Sequence, residues 1–141
     1  MSTAKKRLKG VRIIHGVFLL AAVGYVIVPL RLLRVESPAP PAVLAAAFGF
    51  TAVTVLGFAV FFRLRLMQAA SEALRNNPED TAALQKWLRG TMISFICSES
   101  VVLFGLSLRI TGVSRNICGI FYAVGILFLL AWTPKLDLPP E

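Results

Sequence analysis

Apolar residues are grouped along this chain into four blocks, separated by segments that hold most of the charged side chains. The blocks cover approximately residues 11–30, 42–62, 91–110 and 116–133. Each is close to the length of about 20 residues that spans a hydrocarbon core of about 30 Å as a helix. In lipid, only an α-helix satisfies its backbone hydrogen bonds within a single segment. The pattern therefore predicts an all-α fold, a bundle of four transmembrane helices.

The connection between the second and third blocks predicts that both helices extend beyond the membrane. The residues after the second block are strong helix formers, so helix two is expected over residues 42–76. The next four combine a good N-cap, a proline suited to the first helical position and two acids suited to the first turn: Asn77, Pro78, Glu79 and Asp80. Helix three is therefore expected over residues 78–110. Together the two helices are expected to form a cytoplasmic helical hairpin.

Composition supports a membrane protein. Hydrophobic residues make up 57% of the 141 residues, and the mean hydropathy is +0.75. Charged residues make up 16%, against about a quarter in a typical soluble domain. These values exclude a disordered chain, a collagen and an ordinary soluble enzyme domain. One integral membrane domain is expected over residues 1–141.

The basic residues predict the orientation of the chain. Of the 15 lysines and arginines, 11 lie around the start of the first block, between the second and third blocks, or after the fourth. The positive-inside rule then places both termini and the hairpin in the cytoplasm, which for a bacterial protein means the inner membrane. The basic excess also suits anionic lipid headgroups. Nucleic acid is not expected as a partner, because the basic segments contain only Trp87 for stacking, and Trp87 is placed as an interfacial anchor.

Glu99 is the only acidic residue inside any of the four blocks. It lies close to the bilayer midplane, where an ionised carboxylate costs about 3 kcal/mol on insertion scales, so the neutral acid is favoured. Five side chains at roughly similar depth are candidate hydrogen-bond partners: Ser98, Ser100, Thr51, Thr54 and Tyr122. Three roles are open, namely a protonated carboxyl bonded between helices, a reversible proton or cation site, and a contact with another subunit.

Small residues spaced along the helices predict where helices pack closely in lipid. Three stripes are present: Ala45, Gly49 and Gly57 on helix two; Thr91, Ser94, Ser98 and Gly105 on helix three; Gly119 and Ala123 on helix four. The stripe on helix two and the four residues at the hairpin tip are the candidate interfaces.

No metal site or cofactor is expected. His15, the only histidine, lies one turn inside helix one, where a side chain that snorkels to the interface is expected in preference to a metal ligand. A zinc or di-iron site needs several converging ligands, and the blocks offer one histidine and one glutamate at different depths. The sequence also lacks a glycine-rich phosphate loop and a Cys-x-x-Cys motif.

Between residues 73 and 108, a polar loop, an intramembrane acid and an aromatic-Gly-Leu triplet follow one another: Arg75, Asn77, Pro78; Glu99; Phe104, Gly105, Leu106. This segment resembles the polar loop and second helix of the c subunits of rotary ATP synthases. The resemblance implies that Glu99 carries a proton. Two further helices flank the segment, so a distant relative and a convergent hairpin with one acid stay open beside a ring subunit. The layout also resembles small four-helix membrane proteins of bacteria.

Three functions are therefore open. The first is a non-enzymatic scaffold, accessory or assembly component of a membrane complex, with the hairpin as its docking surface. The second is a proton- or cation-coupled carrier, or a ring-like oligomer, that uses Glu99. The third, a membrane enzyme acting on lipid, is the weakest because no catalytic constellation converges. The first is expected, with the lipid bilayer and either a homo-oligomer or other membrane subunits as partners.

Overall fold

The computed structural model describes residues 3–32 and 42–134. Four α-helices account for most of these residues: α1 (Thr3–Leu32), α2 (Ala42–Asn76), α3 (Thr81–Ile110) and α4 (Arg115–Ala131). The described ranges contain no β-strand. The predicted all-α fold with four helices is confirmed.

The lengths and apolar composition of three helices support a membrane protein. Within the described residues, α1, α2 and α3 are long and apolar enough to cross a membrane, and α4 is a shorter apolar helix of 17 residues. At 1.5 Å per residue, α4 is about 26 Å long, slightly less than a hydrocarbon core of about 30 Å. α1 begins eight residues before its apolar block, because the intervening residues are mostly alanine, lysine, arginine and leucine, which are strong helix formers.

The start of α3 differs from the sequence prediction. Asp80 is the N-cap, and its carboxylate accepts hydrogen bonds from the backbone N–H groups of Ala82 and Ala83 at 2.9 and 3.0 Å. The side-chain oxygen of Asn77 instead accepts from the N–H of Glu79 at 3.1 Å and closes a turn. The predicted start at residue 78 is therefore wrong, because Asn and Asp both cap helices and stabilise turns, and here they divide the two roles.

The turn between α3 and α4 is a Schellman motif. The N–H of Val113 donates to the carbonyl of Leu108 at 3.0 Å, and the N–H of Gly112 donates to the carbonyl of Arg109 at 3.2 Å. Gly112 has a φ of 86°, which costs glycine no Cβ clash. Leu108 and Val113 are both buried, which adds the apolar contact that accompanies this motif. The chain therefore reverses direction within four residues.

α3 is the centre of the bundle. It packs against α1, α2 and α4; α1 also packs against α4, whereas the backbone of α2 packs mainly against α3. The small-residue stripe predicted on α3 is buried throughout: Thr91, Ser94, Ser98 and Gly105. The backbone of α2 is therefore close to only one neighbouring helix over most of its length within the described residues.

Three glycines lie where neighbouring helices approach closely. A Cβ atom at Gly90 would lie 2.8 Å from Met67 Cγ on α2, and one at Gly105 would lie 2.9 Å from Tyr122 Cε1 on α4. At Gly125 on α4 it would lie 2.8 Å from the backbone oxygen of Ser98. These positions, on both sides of α3, are where the helices require a residue without a side chain.

The small residues predicted to pack on α2 and α4 do not lie at these close helix contacts. A Cβ atom at Gly49, Gly57 or Gly119 would meet nothing within 4 Å. Ala123 is exposed, and Ala45 is half-buried. Within the described residues, these three glycines make no close contact with another helix, and Ala123 is not buried against one. The interface with another subunit that is proposed for Ala45, Gly49 and Gly57 stays a prediction.

Candidate functional site

Glu99 lies on α3, one helical turn beyond a residue that packs against α1. It follows Phe95 by one helical turn, so the two share a face. The ring of Phe95 lies 4.8 Å from the ring of His15 and 5.8 Å from that of Phe18, both on α1. Glu99 is half-buried, and its carboxyl group makes no hydrogen bond or ion pair within the described residues.

The predicted hydroxyl partners of Glu99 are occupied on their own helices. Each donates to the carbonyl four residues earlier, at 2.8–2.9 Å: Thr51 to Ala47, Thr54 to Phe50, Ser98 to Ser94 and Ser100 to Ile96. Thr51 and Thr54 are also exposed on α2. These bonds satisfy the hydroxyl protons locally and leave none to donate to a carboxylate. The structure does not bring these side chains together around Glu99.

Tyr122, the fifth predicted partner, lies at a different level. Its ring packs against Gly105, which is six residues beyond Glu99 and therefore about 9 Å further along α3. The Tyr122 hydroxyl is buried and makes no hydrogen bond within the described residues. The six candidate residues therefore occupy several faces and depths of the bundle and form no common cluster.

His15 forms a buried contact that the sequence analysis missed. Its side chain is 7% exposed, and its Nε2–H donates to the backbone carbonyl of Leu129 at 2.8 Å. The expectation of a side chain that snorkels to the interface is wrong. On α1, Val11, His15 and Ala22 are buried and Phe18 is half-buried, and these four residues follow one another at spacings of four, three and four. That periodicity is the sequence signal that could have placed His15 on the inward face.

The carbonyl that His15 binds belongs to the last turn of α4. In a continuing helix the N–H of Thr133 would bond to Leu129, but here it donates to Leu130 at 3.4 Å. The last carbonyls of a helix need partners from outside the helix. His15 supplies one, so a single side chain on α1 caps α4 while its ring packs on Phe95 of α3.

The hairpin formed by α2 and α3 buries its own apolar seam. Met67 and Leu74 on α2 and Leu84 and Trp87 on α3 are all buried. Trp87 is 1% exposed, so the interfacial role predicted for it is wrong. It packs between the two helices because its indole is the largest apolar surface in this segment.

The hairpin tip (residues 77–80) has exposed side chains. Asn77 and Glu79 are exposed, and Pro78 and Asp80 are half-buried. The Asn77 and Asp80 side chains are engaged in the turn and the N-cap. The Glu79 carboxylate is the tip charge that is left to interact with another molecule.

The described residues contain no group of three or more His, Cys, Asp or Glu side chains that could hold a metal ion. Cys97 and Cys118 are free thiols in this part of the chain.

No protein family, curated protein or solved structure matches this chain. The resemblance of residues 73–108 to c subunits of rotary ATP synthases stays a prediction, as does the role that it implies for Glu99.

Proposed function

We propose that this chain is a non-enzymatic membrane scaffold, an accessory or assembly component of a membrane complex. The observation that carries the proposal is that the buried hydroxyl groups of α3 form hydrogen bonds within their own helix. Thr91, Ser94 and Ser98 all donate to carbonyls of their own helix and lie where neighbouring helices pack. Their small side chains, with the hydroxyls satisfied within α3, allow the neighbouring helices to pack closely, as a scaffold requires.

In this proposal all four helices cross the bilayer, and both termini and the hairpin lie in the cytoplasm. The asymmetry of the basic residues supports this orientation. α2 has 35 residues, about 52 Å at 1.5 Å per residue, which is longer than a hydrocarbon core of about 30 Å. The excess length leaves the tip end of the hairpin to project from the membrane as the docking surface.

Reversing the charge at the hairpin tip is expected to weaken the contact with the partner subunit. Glu79→Lys should lower recovery of the chain's cross-linked partner from native membranes about fivefold, equivalent to ~1 kcal/mol for an exposed ion pair. The matched control is Glu72→Lys, which makes the same charge change at an exposed position on the shaft of α2. Equal recovery with both variants, or unchanged recovery with Glu79→Lys, would contradict a docking role for the tip.

A second candidate function rests on Glu99. Its carboxyl group is half-buried on an apolar helix and has no hydrogen-bond partner within the described residues. Acids in such surroundings frequently mark a path for protons or ions. A proton- or cation-coupled carrier, or a ring-like oligomer, would use this group reversibly.

Carbodiimide labelling separates the two candidates. A reversible proton site predicts that dicyclohexylcarbodiimide modifies Glu99 in native membranes, that labelling declines as the carboxyl ionises, and that Glu99→Gln abolishes labelling and proton uptake together. A scaffold predicts that Glu99→Gln leaves the amount of protein and the recovery of its partner unchanged, within about 0.5 kcal/mol in stability. Mass spectrometry locates the adduct. Absence of labelling across the whole pH range would eliminate the carrier.

A further inference from the structure

A pocket of about 260 Å³ lies on the side of the hairpin, beside the inner end of α4. Residues of α2 and one residue of α3 line it: Arg63, Leu64, Met67, Gln68, Ser71 and Trp87. Its walls combine apolar surface from Leu64, Met67 and Trp87 with hydrogen-bonding groups from the other three residues. No acidic residue is among these lining residues.

Arg63 is held in this pocket by an aromatic ring. Its guanidinium carbon lies 5.6 Å from the centre of the Trp132 ring, a cation–π contact. The Trp132 ring is itself fixed by edge-to-face packing on Phe128, with ring centres 4.9 Å apart. A cation that is already positioned loses less side-chain entropy when it binds a ligand.

The guanidinium of Arg63 retains an unused donor. Its Nη1 atom is buried and makes no hydrogen bond within the described residues. A buried donor without a partner costs about 1–3 kcal/mol, more if it is charged. Because Nη1 is buried, an anion in the pocket would reach it only after the Arg63 side chain rotates, and the new hydrogen bond would then remove that cost. The planar fork of arginine matches the paired oxygens of a phosphate group.

The position of the pocket favours a phosphate that belongs to a lipid headgroup. Arg63 directly follows the apolar block of α2, and Trp132 directly follows the end of α4 at Ala131. Tryptophan and arginine at the ends of apolar helices mark the headgroup region of a bilayer. A phospholipid would place its phosphate at this level, and its acyl chains would extend from Arg63 along the apolar block of α2 towards the bilayer centre.

We propose that the pocket binds the phosphate group of an anionic phospholipid, with Arg63 as the phosphate ligand and Gln68 as a second donor. The proposal rests on the membrane orientation proposed above but not on the scaffold function. Lipid binding and partner recovery are separate measurements, so either proposal can fail alone.

Both tryptophans of the chain report on this pocket, because Trp87 lines it and Trp132 contacts Arg63. The full chain is placed in phosphatidylcholine nanodiscs that contain increasing fractions of brominated phosphatidylglycerol or brominated phosphatidylcholine. Bromine quenches tryptophan fluorescence on contact. We expect half-maximal quenching at an about fivefold lower fraction of phosphatidylglycerol, the preference that one basic residue near the membrane surface provides.

Arg63→Gln is expected to reduce this ratio to about one. The matched control is Arg65→Gln, which removes the same charge from an exposed side chain that packs over Phe61, outside the pocket. A wild-type ratio of one would overturn the proposal. So would an equal loss with Arg65→Gln, since general attraction to an anionic surface would then explain the preference.

A second variant and a competition experiment complete the test. If Arg63→Gln does not fold, Ser71→Leu fills the pocket from its half-buried rim while Arg63 stays in place, and the same loss is expected. Inorganic phosphate is compared with chloride at equal ionic strength. If inorganic phosphate alone abolishes the preference, the ligand is soluble phosphate, and the assignment to a lipid is overturned.

Discussion

Gly125→Ala is expected to lower the free energy of unfolding by about 1–3 kcal/mol, the cost of overpacking a filled interior. The added Cβ would lie 2.8 Å from the backbone oxygen of Ser98 and 3.0 Å from the backbone nitrogen of Val102. Side chains can rotate away from such a contact, but the backbone atoms of α3 cannot. α4 would therefore have to move away from the central helix, and the buried contacts on either side would loosen.

The control for this change lies on the same helix. Gly119→Ala adds the same methyl group where nothing lies within 4 Å, so we expect no loss of stability. Thermal unfolding of the two variants and the wild type in one detergent, followed by circular dichroism, gives the comparison. Equal unfolding temperatures for the two variants would show that the α3–α4 crossing is not close-packed at Gly125.

His15→Phe is expected to destabilise the chain by about 1–3 kcal/mol, the cost of leaving a buried carbonyl unpaired. Phenylalanine keeps an aromatic ring beside Phe95 but has no N–H group to donate to Leu129. The loss therefore measures the hydrogen bond separately from ring packing. The end of α4 is also expected to exchange its amide hydrogens faster, because the last turn loses its cap.

His15→Gln tests whether the donor itself is responsible. A glutamine side chain retains an N–H donor with a reach similar to that of Nε2, so we expect it to recover part of the stability lost in His15→Phe. Hydrogen exchange and thermal unfolding are measured on both variants. If phenylalanine proves as stable as histidine, the contact with Leu129 contributes nothing, and packing against Phe95 alone holds α1 in place.

The four helices could be predicted because each apolar block is long and bounded by charged or turn-forming residues. The orientation of each helix about its own axis could not be predicted in the same way. A helix that is apolar all round carries little information about which side meets protein and which meets lipid. Gly49, Gly57 and Gly119 have the spacing of close packing and Gly125 does not, yet of these four glycines only Gly125 lies close to another helix.

The same limit applies to the candidate site. Depth along a helix follows from counting residues, so Glu99 and its possible partners could be placed at roughly similar levels. Angular position depends on tertiary packing, which directs Thr51 and Thr54 away from the bundle. His15 is the opposite case, a polar residue expected at the membrane surface that is buried in the structure. Its ring N–H is paired there with a carbonyl that only the folded structure brings near it.

The central position of α3 has a consequence for biosynthesis. Ribosomes release α1 and α2 first, and these two helices share little or no backbone packing with each other. In the proposed membrane arrangement, the nascent chain is two separate helices in lipid until the third span enters the bilayer. Insertion of α3 is then the event that converts independent spans into a tertiary structure, and the quality-control machinery of the membrane encounters an unassembled substrate until it occurs.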